Sequence, residues 1–188
     1  EMSLPLAALP APLSVREARA GVRWSGRADD WRLDLSDLTL GLRGPAWPAG
    51  DARIRYTPGE TRIEVGKLEL KDVTSLVQTL APGPESSVPA AMRTGLKLWT
   101  GFRPEGALKQ FQLLVQGDPK APQDFALEAE MTNISTQPWA SYPGVRGLSG
   151  RLKLRAQDGE LMLASDQLAV NMPSIFRAPL ALQHASGR

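Results

Sequence analysis

The feature that most constrains this chain is a pair of alternating segments between Gly147 and Pro173, separated by a turn signal. Leu152 and Leu154 share one parity, and the residues around them are Arg or Lys. Such alternation indicates a half-buried β-strand, because successive side chains of a strand point to opposite faces of the sheet. Asp158-Gly159 follows, and this dipeptide favours a tight turn because it tolerates positive φ. The stretch therefore predicts a β-hairpin.

The returning strand changes parity. Leu161 and Leu163 are followed by apolar residues on the other parity, with the change near Ser165–Gln167. Similar slips occur at Ser36-Asp37 and at Gly66-Lys67. A β-bulge produces such a slip and bends the strand, so the pattern predicts long bent strands in a strongly curled sheet. The alternative is that each slip is the edge between a strand and a loop.

Between two groups of strands the period changes. Val73, Leu76, Val77 and Leu80 have helical spacing, and a second helix is predicted over residues 88–99. We therefore expect one continuous domain of a longer chain, in four parts: an extended lead-in (1–13), a first β segment (14–71), a helical insertion (72–103) and a second β segment (104–184).

The predicted fold is mainly β. It is an antiparallel β-meander of eight or nine long bent strands, curled into an open groove, with one short helical pair inserted. Most strands have one apolar and one polar face, and two short helices cannot cover the whole apolar side. The alternative is a closed β-sandwich, in which that side is buried against a second sheet.

The composition argues against several classes of function. The 188 residues carry a net charge of +2, too mild for a nucleic-acid surface, and contain no cysteine. The single histidine, His184, lies in the expected C-terminal tail, where a catalytic relay or a zinc site is not supported. Glu128 and Glu130 alternate with apolar residues and indicate a solvated strand face. We expect no enzyme activity and no cofactor.

An exposed apolar sheet face marks a site for a ligand or a partner. We predict that the apolar face of this sheet contacts the acyl chains of a lipid. Because the parity slips occur within strands, we do not expect all candidate residues to face the same way. The candidates are Leu33, Leu35, Leu40, Leu42, Ile54, Ile63, Val65, Leu68, Leu70, Phe125, Leu127, Leu152, Leu154, Leu161 and Leu163.

Three passages resemble the AsmA-like envelope proteins of Gram-negative bacteria, most closely the YhdP family. Residues 98–108 contain a Trp…Pro-x-Gly-x-Leu passage like one that recurs in that family. Residues 142–150 contain Pro-Gly-x-x-Gly-Leu-Ser-Gly, and residues 173–180 contain Pro-x-x-Phe-Arg-x-Pro-Leu. The resemblance covers the second half of the chain well and the first half only in pattern.

The resemblance implies an inner-membrane anchor followed by a long periplasmic body of repeated β-strands. That body would form an apolar groove that carries phospholipid between the inner and outer membranes, as in TamB and the bridge-like lipid-transfer proteins. This chain would be an internal periplasmic segment of such a protein. Its partners would be phospholipid acyl chains and, at the ends of the full-length protein, other envelope proteins, but no nucleic acid.

Two functions follow from these expectations. The first is a segment of a lipid conduit, which needs an open apolar surface and no catalytic residue. The second is a closed β-sandwich that acts as an interaction or scaffold module of the envelope and binds protein partners. The two differ in whether the apolar face is open or is buried in a dry core.

Overall fold

The computed structural model describes residues 2–4, 13–42, 46–74, 97–118 and 121–188. Eleven strands in these ranges belong to a single antiparallel sheet: β1 (Met2–Leu4), β2 (Leu13–Gly26), β3 (Trp31–Leu42), β4 (Ala46–Thr57), β5 (Glu60–Glu69), β6 (Glu105–Asp118), β7 (Ala121–Ser135), β8 (Gly144–Arg146), β9 (Leu148–Arg155), β10 (Gly159–Asn171) and β11 (Leu180–Gly187).

The strands pair in chain order from β1 to β7 and then through β9, β10 and β11, whereas β8 pairs with β10. The described strands thus form one open sheet, and the predicted open antiparallel meander is confirmed. Eleven strands exceed the eight or nine expected, because β1 and β8 have three residues each and are too short to show an alternating pattern. His184, expected in a tail, lies in β11.

The hairpin of β9 and β10 is confirmed, but its turn is not at Asp158-Gly159. Arg155 N donates to Asp158 O at 2.8 Å, so the loop turns at residues 156–157. Gly159 already pairs with Leu154 as the first residue of β10. A Cβ on Gly159 would lie 2.7 Å from Leu154 Cδ2, so the glycine makes room for the leucine side chain opposite it.

Bulges interrupt the long strands. In β3 a register shift lies between Leu35 and Leu38, and Asp37 has φ 51°, which confirms the slip at Ser36-Asp37. In β6 the shift surrounds Gln110, with φ 50°, and in β7 it lies beside Asn133, with φ 53°. Such bulges bend a strand and increase its twist.

The other two predicted slips occur without a register shift. Pairing around Gly66 is unshifted, and the residue with positive φ at that level is Gln110 of the neighbouring β6. Pairing around Asp166 is also unshifted, and the residue with positive φ is His184 of the neighbouring β11. The predicted changes of parity are nevertheless present: Val65 and Leu68 are half-buried on either side of exposed Gly66-Lys67, and Ser165 and Leu168 are buried on either side of exposed Asp166-Gln167. Because the pairing is unshifted, both strands of each pair change parity at the same level.

Two short helical segments, residues 70–74 and 97–102, lie next to the ends of β6, β7 and β9. The buried side chain of Leu70 packs with Met131 and Ile134, and Trp99 packs against the same cluster. Trp99 Nε1 donates to Thr74 Oγ1 at 2.9 Å, which joins the two segments. The remainder of the predicted helical pair, residues 75–96, lies outside the described residues. The two described segments therefore cover one end of the sheet.

Gly106 is the first position at which we predict a backbone effect. It has φ 107°, and a Cβ there would lie 2.6 Å from Asn133 O at the bulge of β7. We expect Gly106→Ala to lower the free energy of unfolding by more than about 1 kcal/mol, because alanine is strained at that φ and collides with backbone. Urea unfolding followed by circular dichroism measures the change.

Gly66→Ala is the matched control. Gly66 also lies in a long strand, but its φ is outside the left-handed region, and nothing lies within 4 Å of the position that a methyl group would occupy there. Alanine at this position is expected to be neutral or to stabilise by about 0.4–1 kcal/mol, because it reduces the conformational entropy of the unfolded chain. Equal unfolding midpoints for the two variants would contradict the role assigned to Gly106.

Candidate functional site

One face of the sheet carries a continuous apolar row. Residues directly opposite each other in an antiparallel pair project from the same face. The register from β2 through β7 to β9 links seven such residues, one from each strand: Trp24, Leu33, Ile54, Ile63, Leu113, Leu127 and Leu154. We call this face the apolar face.

Further rows lie on the same face. A second row links β2 to β6 through Val22, Leu35, Ala52, Val65 and Phe111. It is continued at the same level beyond the β6 bulge by Ala129, Leu152 and Leu161. A third row, near the helical segments, contains Leu68, Leu108, Met131, Gly150 and Leu163.

The expectation that the parity slips would turn some candidates away is therefore wrong for these rows. In β6, Phe111 and Leu113 are odd-numbered and Leu108 is even-numbered, yet all three pair with residues of the apolar face. The bulge at Gln110 explains this, because one extra residue between Leu108 and Leu113 places both leucines on the same face. The slips therefore extend the apolar face along the strands.

The remaining candidates have other positions. Phe125 belongs to a row at the turn end of the strands, with Val115, Thr61, Tyr56 and Trp31. Leu70 begins a helical segment and is buried in the cluster with Met131. Leu40 and Leu42 have paired backbones in β3, but their side chains lie outside what the structure describes.

The candidate set missed several members of the face: Val22, Trp24, Leu108, Phe111, Leu113 and Met131. Each of them follows the alternation of apolar and polar residues in its own strand, and that alternation could have identified it. The signal was ambiguous in β6, where apolar residues occupy both parities, at 108 and 114 and at 111, 113 and 115. Only the pairing with β5 and β7 separates the two sets.

Most of the apolar face is only half-buried. Val22 is 65% exposed, Trp24 55%, Leu161 40% and Phe125 37%. The buried hydrophobic residues are few, and Leu70, Met131 and Ile134 among them form the cluster beside the helical segments. No side chain in the described ranges is fully buried. Away from the helices, the described part of the chain thus leaves this face open to an apolar ligand.

The opposite face carries a row of charges, which we call the charged ladder. Its members pair across eight strands: Arg23, Asp34, Arg53, Glu64, Gln112, Glu128, Lys153 and Glu160. Arg53 bridges Asp34 and Glu64, with both N–O distances 2.8 Å, and Lys153 Nζ lies 3.3 Å from Glu128 Oε1. The charged ladder keeps this face exposed to water, which agrees with the solvated strand face expected for Glu128.

Hydrogen bonds set the charge state of the ladder at Asp34. Arg32 donates to both carboxylate oxygens, at 2.8 and 2.9 Å, and Arg53 Nε donates to Oδ1 at 2.8 Å. These bonds, with Arg32 first, lower the pKa of Asp34 to about 2. The arginine side chains are about half exposed, so each ion pair contributes little to stability.

Two depressions lie on the charged face. The larger has a volume of about 730 Å³ and follows the small residues Gly21, Ser36 and Gly66 beside the ladder. The smaller, of about 230 Å³, is surrounded by Arg32, Arg53, Arg55 and Arg62 together with two glutamates. The larger is lined by Val22, Leu35, Ala52, Val65 and Phe111 as well as by charged residues, whereas all the residues around the smaller are charged. The apolar face itself is a broad surface, which suits a ligand that is held without a fixed position.

The described residues offer no assembled catalytic or metal centre. They contain no group of three or more His, Cys, Asp and Glu side chains that could hold a metal ion. His184 is exposed, and its Nδ1 lies 4.0 Å from Asp166 Oδ1. Within the same ranges, no helix is both long enough and apolar enough to cross a membrane.

The sequence profile of the family described as YhdP protein matches residues 3–188. The intermembrane phospholipid transporter YhdP of Escherichia coli (strain K12) is 23% identical to the chain over 167 residues. That alignment covers 81% of the chain and 12% of the transporter, so the chain spans only a small part of that relative's length. No solved structure matches the chain.

The hydrogen bonds at Asp34 predict an unusual titration. The carboxyl is expected to titrate at about 2 when its carbon shift is followed by NMR, and to move upward in Arg32→Gln/Arg53→Gln, which lacks both donors. Since the pKa is lower in the folded chain, the stability that Asp34 contributes is complete above about pH 3.9 and is lost as the pH falls through about 2.

The control for this titration is Arg62→Gln. The Arg62 guanidinium contacts Glu60 and not Asp34, so its loss should leave the Asp34 midpoint in place. A midpoint near 4 in the unaltered chain would show that the pairs with Arg32 and Arg53 do not persist in solution.

Proposed function

Because the chain belongs to the YhdP family, we propose that it is a segment of a periplasmic, bridge-like conduit that moves phospholipid between the inner and outer membranes. The observation that carries this proposal is the open apolar face, with rows that cross up to seven adjacent strands. The name of the E. coli relative supports phospholipid as the ligand. Acyl chains would lie on the apolar face, and the charged ladder would face water.

The geometry suits movement across the strands. Adjacent strands lie about 4.8 Å apart, so seven strands offer an apolar path of about 29 Å. Each methylene removed from water contributes roughly 0.8 kcal/mol. Leu, Ile and Val side chains repeat along the path, so a chain leaving one set of contacts gains an equivalent set on the next strand. Lipid is thereby retained on the surface while its position remains free to change.

The proposal extends to the surroundings of this segment. The parent protein would be anchored in the inner membrane, and this segment would lie in the periplasm as one continuous domain of a longer body. Envelope proteins would contact the ends of that body. The segment itself would use no cofactor and perform no catalysis, since its task is to shield acyl chains from water.

A closed scaffold module is not favoured. A β-sandwich buries its inner face against a second sheet. Here the described strands form one sheet, and residues as large as Trp24 and Val22 are more than half exposed on its apolar face. In the described ranges, a dry core of the kind that a sandwich needs is found at the cluster under the helical segments.

Native mass spectrometry of the chain, followed by solvent extraction, tests the proposal. We expect phospholipid to co-purify with the unaltered chain. Leu113→Lys places a charge in the middle of the apolar row and should reduce bound phospholipid at least about tenfold, since two lost methylene contacts of about 0.8 kcal/mol each already give that factor.

Gln112→Lys is the matched control, because it adds the same charge one residue away on the opposite face. There the new lysine stands between Glu64 and Glu128, so folding and bound lipid should be retained. Leu161→Lys is a second test variant, at a site exposed enough to accept lysine without unfolding. Undiminished phospholipid in folded Leu113→Lys and Leu161→Lys would refute the proposal, as would lipid-free unaltered chain.

A further inference from the structure

Three aromatic side chains form a stack at the turn end of β2, β3 and β4, on the apolar face. The Trp24 and Trp31 ring centroids lie 4.8 Å apart with planes 20° from parallel, and those of Trp31 and Tyr56 lie 5.8 Å apart at 23°. Trp31 pairs with Gly26 on one side and with Tyr56 on the other, at the last level before the turns. We call this stack the aromatic rim.

The tryptophans of the rim differ from Trp99 in their hydrogen bonding. Trp99, beside the helical segments, donates its indole N–H to Thr74 Oγ1. Within the described residues, neither Trp24 nor Trp31 donates its indole N–H to a protein acceptor, and Trp24 is 55% exposed. The rim therefore presents flat apolar surface together with unused donors.

This combination suits the boundary between hydrocarbon and water. Indole and phenol rings have an apolar body and a polar group, and they concentrate where one end is apolar and the other is wet. Trp24 itself lies in the row of Leu33, and the row of Leu35 lies below it, so polarity falls with distance from the turns. The arginines at the same level, Arg32, Arg55 and Arg62, project from the opposite face.

On β3, the part of the apolar face between the rim and the bulge is about as deep as one lipid leaflet. Trp31 and Leu35 are four residues apart on one strand, which corresponds to about 14 Å. The hydrocarbon core of a bilayer is about 30 Å thick, or about 15 Å for each leaflet. An acyl chain that lies along β3, from Trp31 towards the bulge at Asp37, would thus be covered over most of its length.

We propose that the aromatic rim binds the ester and glycerol-phosphate region of a phospholipid, so that acyl chains point from the turns towards the bulges. This inference depends on the proposed function, because it assigns an orientation to the lipid that the apolar face carries. The indole N–H groups of Trp24 and Trp31 would donate to ester or phosphate oxygens, and the head group would extend beyond the turns into water.

Tryptophan quenching by brominated phosphatidylcholine tests the orientation, because bromine quenches only on close approach. Two lipids are used, one brominated near the carboxyl end of an acyl chain and one near its methyl end. We expect the carboxyl-end bromines to quench the unaltered chain more strongly. Trp24→Phe/Trp31→Phe should lose this difference, while Trp139→Phe, which alters a tryptophan packed with Phe102, should keep it.

The outcomes separate this proposal from the one it depends on. Quenching that is equal for both lipids, or stronger from the methyl end, would overturn the rim assignment and leave lipid binding by the apolar face intact. An unchanged difference in folded Trp24→Phe/Trp31→Phe would also overturn it. Absence of quenching by both lipids, together with a lipid-free native mass, would overturn both proposals.

Discussion

The antiparallel register from β2 to β10 is the constraint on which the other features of this molecule depend. Because each strand is paired over most of its length, every side chain is assigned to one of two faces, and the same assignment passes from strand to strand. A shift of one residue in any pair would bring charged-ladder residues into the apolar rows. The bulges keep the assignment constant in strands whose sequences change parity, so the separation of faces extends along the strands as well as across them.

The two faces have different energetic roles. On the charged face, ion pairs such as those of Arg53 with Asp34 and Glu64 form in water and contribute little to stability. On the apolar face, most side chains remain half exposed, and the described residues form a compact cluster where Leu70 and Trp99 meet the ends of β6, β7 and β9. Backbone pairing and this cluster hold the described structure together, while the open rows remain available to a ligand. The distribution agrees with the transport role proposed from the family.

Alternation within single strands was sufficient to predict the sheet, the polar and apolar faces and most residues of the apolar rows. Features that depend on two strands were not predictable in this way. Leu113 and Leu108 have opposite parities, and only their β7 partners Leu127 and Met131, which share one parity, place both on one face. Positive φ at Gln110 has no local sequence signal, because glutamine is an ordinary strand residue at the surface. The packing of Leu70 against Ile134 joins positions far apart in sequence, and periodicity carries no information on such contacts.

The kink in the edge strand has a consequence for what can join the sheet. β11 has one neighbour, β10, and its other edge has no partner among the described residues. His184, with φ 51°, divides β11 into residues 180–183 and 185–187, neither of which offers a long flat template. Exposed edges of regular strands recruit foreign chains and promote aggregation. A strand that pairs along the whole of β11 must therefore follow the kink at His184, which limits the backbones that can add to the sheet at this edge.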